Sequence, residues 1–248
     1  MVELPIAGTD SSYVLNPQKI VAVGLNYREH IAESPSILAA EKKARAAGGA
    51  VAAASREAPS EPVLFPKAPN VLIGPGAAIP IPSSFLARYA FPKPRTDYEA
   101  ELAVIIGHRC KDVPVETALA CVFGYSCFND VSQRDIQNGD RSGWFRGKSF
   151  DGFGPIGPVI APASSIPDPQ RLAIRCRLNG RIVQESNTSE MIFGVADLVS
   201  FISHNFTLEP GDVIATGTPS GVGALAPGDV VEVEIEGIGV LSNPVIER

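Results

Sequence analysis

Proline and glycine punctuate this chain so densely that little room remains for long helices. The 22 Pro and 23 Gly among 248 residues gather in clusters such as FPKAPN, GPGAAIPIP, FGPIGP, LEPGD and LAPGD. Proline removes a backbone donor and breaks helix interiors, while glycine supplies the conformations that turns need. Short segments between such breaks favour strands. The exception is SEMIFGVADLVSFISHNF, where Met191, Ile192, Val195, Leu198, Val199 and Ile202 recur near i, i+3, i+4, i+7. That spacing predicts one long helix over 189–206. The expected class is mainly β with α (α+β), with few helices.

Strand signals follow in quick succession: KIVAVGLNY (19–27), PVLFPK, VLIG, VFGYSCFND (122–130) and DVIATGTPSGVG (212–223). RLAIRCRLNGRIVQES (171–186) alternates on both sides of Asn179–Gly180, the strongest short hairpin signal. DVVEVEIEGIGVLSNPVI (229–246) alternates as a second hairpin. REHIAES (28–34) has local helical character, and VSQRDIQ (131–137) reads as a turn or short helix. Residues 34–60 differ in being Ala-rich and charged, which suggests an inserted lid. The expected organisation is therefore an N-terminal segment, 1–60, carrying that insertion, followed by a domain over 61–248.

Composition removes several function classes. With 45% hydrophobic residues the chain can build a core, so wholesale disorder is excluded. A net charge of −6 offers no footprint for nucleic acid or an anionic membrane. No apolar run approaches the ~20 residues that span a bilayer, and MVELPIAGTD lacks the character of a signal peptide. Cys110, Cys121, Cys127 and Cys176 show no CxxC spacing and read as reduced thiols of a cytoplasmic protein. Only 3 His are present, so oxygen ligands are expected for any metal.

TDYEAELAVIIG (96–107) poses the functional question. Side chains alternate along a strand, so Glu99 and Glu101 share one face while Ala100, Leu102, Val104 and Ile106 form the other. Two like charges side by side repel unless a cation lies between them. Either the glutamate face is wet and the pair means little, or it holds a cation. Asp130, ending VFGYSCFND, can add a third carboxylate from a neighbouring strand. Three carboxylates with waters form a hard-oxygen site of the kind Mg2+ or Mn2+ prefers. The alternative is an acidic edge strand beside a turn aspartate.

Other segments carry weaker signals. His30 and Glu33 sit three apart, so on a helix the carboxylate can orient the imidazole as a base; a surface pair would look the same. Lys148 lies among aromatics and glycines in WFRGKSFDGFGP, placed either to stabilise an enolate oxygen or to face solvent. ATGTPSGVG presents Thr216, Thr218 and Ser220 among glycines whose N–H groups can approach an anion. It lacks the lysine of a phosphate-binding loop.

In combination, GLNYREH, LFPKAPN, DYEAELAVIIG, FNDVSQRDIQ, GKSFDGFGPIGP, RLNGRIVQESNTSEMIF and ATGTPSGVG resemble the fumarylacetoacetate hydrolase family. The motifs run in that order from residue 19 to about 246. The resemblance implies a mixed β-roll and a homodimer. It also implies a divalent metal in an open cleft, Mg2+ or else Mn2+ or Ca2+, and makes 61–248 the catalytic domain. It implies metal ligation by Glu99, Glu101 and Asp130, a catalytic set of His30, Glu33 and Lys148, and substrate contacts from Arg134, Gln137 and Thr218. The expected reaction is hydrolysis of a C–C bond in a 2,4-dioxo acid, an acylpyruvate such as fumarylpyruvate, through a pyruvate enolate. The alternatives are an oxaloacetate-type decarboxylase or an isomerase or tautomerase of a 2-hydroxy-dienedioate. A non-catalytic module on this scaffold would be expected to lack a metal acid or the lysine.

Overall fold

The computed structural model describes residues 1–33, 58–139, 141–142 and 144–248, with backbone alone for 31–33. The greater part of the expected insertion, 34–57, and the side chain of Glu33 therefore lie outside the described residues. Two short strands, β1 (Val2–Pro5) and β2 (Ser12–Leu15), form a hairpin. The seven-stranded sheet draws on β3 (Ile20–Gly24), β4 (Val63–Lys67), β5 (Leu72–Ile73), β8 (Ala100–Ile106), β9 (Val122–Asn129), β11 (Gly154–Pro162) and β14 (Val213–Ala215). Its order is β4-β3-β14-β8-β9-β11-β5, mixing parallel and antiparallel pairs. A five-stranded sheet combines β6 (Ile79–Ile81), β12 (Ala173–Leu178), β13 (Arg181–Asn187), β16 (Val230–Ile235) and β17 (Gly239–Glu247), in the order β13-β12-β16-β17-β6. A small third sheet centres β7 (Thr96–Tyr98) between β10 (Ser132–Gln133) and β15 (Gly223–Ala224). This is the mixed-sheet, helix-poor architecture expected.

Local chemistry accounts for these elements. Asn179 and Gly180 take left-handed φ of 51° and 78°, as the tight turn between β12 and β13 requires. Strand β8 is buried along its whole length. It lies between β14 and β9, with β12 and β16 against it, so both faces are interior. That removes one of the two alternatives for the acidic pair: the glutamate face is not wet. Glu99 and Glu101 are 4% and 1% exposed.

The long helix is also shorter than its periodicity suggests, spanning Val195–Asn205 rather than 189–206. Tertiary hydrogen bonds take the front of the segment. Thr188–Glu190 forms one 3₁₀ turn, and Met191 bridges to Tyr27. Asn26 accepts from the N–H of Phe193 through Oδ1 and donates to its carbonyl through Nδ2. The helix then starts at Gly194, whose N–H donates to Asp197 at 2.9 Å. Apolar Met191 and Ile192 thus serve the chain crossing beside the site. No helix among the described residues is long and apolar enough to cross a membrane.

Candidate active site and metal centre

Strand pairing breaks at Glu99, between β7 and β8, and the break builds the site. The N–H of Glu99 donates to Asn129 Oδ1 at 2.9 Å, and Asp130 N–H returns a bond to Glu99 O at 2.9 Å. Asp130 leaves the end of β9 at that point, beside both glutamates. One carboxylate oxygen from each of Glu99, Glu101 and Asp130 lies within 4.8 Å of the others, and all three residues are buried.

Cations surround two of the three acids. Lys148, at the end of the short helix Phe145–Lys148, donates to Glu99 Oε2 at 2.6 Å and to Asp130 Oδ2 at 2.5 Å. Its ammonium lies 5.0 Å from the centre of the Phe65 ring. Burial pulls the Lys148 pKa down, but Asp130 and Glu99 outweigh it and hold the ammonium above its ordinary value. Arg134, on the helix Arg134–Gly139, bonds Asp97 Oδ2 at 2.8 Å, Gln137 Oε1 at 2.9 Å and Glu99 Oε1. For Glu99, burial raises the pKa, yet Arg134 and Lys148 bring it well below the carboxylate range.

Glu101 is treated differently. Its Oε2 accepts the N–H of Gly217 at 2.9 Å, and its Oε1 accepts no hydrogen bond among the described residues. Burial, then the charges of Asp130 and Glu99, push its pKa well up. A buried carboxylate with one oxygen unserved, beside two others, is a place that calls for a hard cation. The donor set fits a divalent metal.

His30, on the helix Arg28–Glu33, is 8% exposed and lines the same cleft, as do Gln137, Trp144 and Thr218. Eight of the nine sequence-derived residues thus converge; the ninth, Glu33, has no described side chain. The protein spends several donors of Arg134 on Asp97, Glu99 and Gln137, so this arginine also orients the Glu99 carboxylate. Because guanidinium only donates, Gln137 presents its oxygen to Arg134 and leaves its amide hydrogens for the cleft.

Two buried groups escaped the sequence reading. Lys67, at the end of β4, donates to Asp130 Oδ1 at 2.5 Å, to Lys148 O at 2.5 Å and to Val131 O at 3.4 Å, with none of its side chain exposed. Burial lowers its pKa against the opposing pull of Asp130. Alternation with buried Phe65 was the available signal, since it places Lys67 on the inner face of β4. Asp97, 0% exposed, accepts from Arg95 and Arg134 and is the anchor behind Glu99.

A mixed β-roll presenting a buried cluster of three carboxylates beside a lysine, an arginine and a cleft histidine has the layout of an enzyme active site. The model for the fumarylacetoacetate (FAA) hydrolase C-terminal family matches residues 19–246. The chain belongs to that family and is an enzyme of it. It is 39% identical to the mitochondrial oxaloacetate tautomerase of Xenopus laevis, over 94% of this chain and 67% of that one. Among solved structures, it is similar to a 2-hydroxyhepta-2,4-diene-1,7-dioate isomerase from Mycobacterium marinum. There the TM-score is 0.75 and the identity 36%, covering 97% of this chain and 82% of the other. A maleylpyruvate hydrolase from Sphingobium sp. SYK-6, in complex with manganese(II) and pyruvate, matches with a TM-score of 0.73. It is 29% identical, over 94% of this chain and 72% of that one.

Proposed function

We propose that this chain is a divalent-metal-dependent enzyme that forms the enolate of a short 2-oxo acid, using Mg2+ or, in its place, Mn2+ or Ca2+, as a homodimer. The observation that carries the reading is the buried Glu99–Glu101–Asp130 cluster with Lys148 between two of its members. A divalent cation held there would supply positive charge to the oxygens of a 2-oxo acid. The amide of Gln137 and the hydroxyl of Thr218 donate to further substrate oxygens. Lys148 places a second positive charge where negative charge develops. His30 moves the proton at the cleft wall.

Keto–enol proton transfer on an oxaloacetate-type diacid is the reaction we favour: the proton leaves the carbon next to the 2-oxo group and the oxygen gains one. It is supported by the tautomerase and isomerase relatives, at 39% and 36% identity. Hydrolysis of an acylpyruvate such as fumarylpyruvate is the second reading, supported by the similarity to maleylpyruvate hydrolase. In it His30 takes a proton from water, the hydroxide adds to the distal carbonyl, and the C–C bonding pair passes to the pyruvate carbon. Decarboxylation of oxaloacetate reaches the same enolate without a base.

The test follows enol absorbance and pyruvate release on oxaloacetate, fumarylpyruvate and acetylpyruvate, with Mg2+ and with EDTA. Metal-dependent enol–keto conversion without pyruvate supports the tautomerase. Pyruvate with a free acid supports the hydrolase, and pyruvate with CO2 the decarboxylase. Turnover that EDTA leaves intact would overturn the metal-dependent reading.

A further inference from the structure

Strand β13 lies at the edge of its sheet, and of its seven residues only Gln184 is buried, at 2% exposure. A buried amide on an edge strand is costly unless each polar atom is served, and here the partners fix its orientation. The N–H of Ala100 can only donate, so it faces Oε1, at 3.0 Å. The carbonyl of Pro219 can only accept, so it faces Nε2, at 2.9 Å. The second Nε2 hydrogen therefore goes to Thr218 Oγ1, at 2.9 Å.

Thr218 is thereby an acceptor toward the protein. Its own hydroxyl hydrogen has no acceptor among the described residues, and the residue lines the cleft with Glu99, Glu101 and Arg134. The loop around it is pinned as well. Tyr98 Oη donates to Gly221 O at 3.1 Å. A Cβ on Gly221, at φ +92°, would lie 2.2 Å from the carbonyl oxygen of Val183, so only glycine lets the loop press onto β13.

We propose that Gln184 is a positioning residue: it commits the Thr218 hydroxyl to donate into the cleft and so selects ligands that place an anionic carboxylate oxygen there. The proposal rests on the 2-oxo acid reading above. Ala100 sits between Glu99 and Glu101, so the same amide also ties the loop to the metal-binding strand, and metal affinity must be read separately from ligand choice.

The experiment titrates the Mn2+-loaded protein with pyruvate and with methyl pyruvate, which lacks the anionic oxygen. Mn2+ affinity is measured without ligand. Wild type should prefer pyruvate. Gln184→Met and Thr218→Val should each weaken pyruvate roughly ten- to hundredfold, the range of a hydrogen bond to a charged group, while methyl pyruvate changes little. The double variant should be no worse than Thr218→Val alone. Gln184→Glu keeps the size and the acceptor for Ala100 but cannot serve Thr218 and Pro219 together, since an ionised carboxylate donates to neither and a neutral acid has one O–H for both. It should therefore weaken pyruvate in the same direction, and it serves if Gln184→Met does not fold. Equal weakening of both probes, or additive losses in the double variant, would overturn the proposal while leaving wild-type preference intact. A wild type that shows no preference for pyruvate would overturn the 2-oxo acid reading itself, and the proposal with it.

Discussion

Replacing Lys67 by methionine removes one ammonium and keeps a straight side chain of similar length. The lost group holds Asp130 Oδ1 at 2.5 Å, the Lys148 carbonyl at 2.5 Å and the Val131 carbonyl at 3.4 Å. Removing one partner of a buried ion pair costs roughly 3–5 kcal/mol, because the other charge stays buried. Asp130 keeps Lys148 on Oδ2, so the low end, about 3 kcal/mol, applies. In a chain of this size that is a fall in Tm of roughly 6–12 °C. Asp130 also loses the group that fixes its rotation, and the turn bearing Lys148 loses its tie. Metal affinity should therefore drop roughly 10- to 100-fold, the usual consequence of losing a group that orients a ligand. Calorimetric unfolding in EDTA measures the first effect and Mn2+ titration by electron paramagnetic resonance the second. A Tm within about 2 °C of wild type together with unchanged Mn2+ affinity would refute the reasoning.

Other outcomes follow from the same geometry. Glu101→Gln should weaken Mn2+ binding by at least roughly 100-fold, since a hard cation loses a charged ligand. In EDTA the variant should unfold no earlier than wild type, because burial and two neighbouring charges disfavour the ionised carboxyl; a Tm several degrees lower would count against this account. His30→Ala should cut keto–enol conversion or hydrolysis on the order of 100-fold while sparing decarboxylation, and equal loss of all three would remove its assigned role. Burial pushes the thiols of Cys127 and Cys176 up to about 12 from 9.0. Both states keep these protons below pH 9. Above it the unfolded chain releases them first, so stability falls as pH rises, by about 1.4 kcal/mol per pH unit for each thiol. Urea midpoints that match at pH 8 and pH 10.5 would disprove this.

Proline and glycine act on the backbone within a residue or two, so their pattern was enough to establish a strand-rich fold with few helices and to place the Asn179–Gly180 hairpin. The spacing of Glu99 and Glu101 likewise put both acids on one side of the chain, where the structure adds Asp130. The start of the helix at Val195 was not legible, because Met191 and Ile192 keep a helical period while Asn26, distant in sequence, takes the backbone groups of Phe193. Nor was the dryness of the glutamate face. Lys67 reaches Asp130 across 63 residues, and Gln184 reaches Ala100 across 84. Burial and hydrogen-bond closure are decided by such distant pairs, and no window along the chain contains both partners. The local sequence determined most of the elements and the acidic cluster; the tertiary structure alone decided which polar groups would be sealed beside that cluster, and in which direction each would donate.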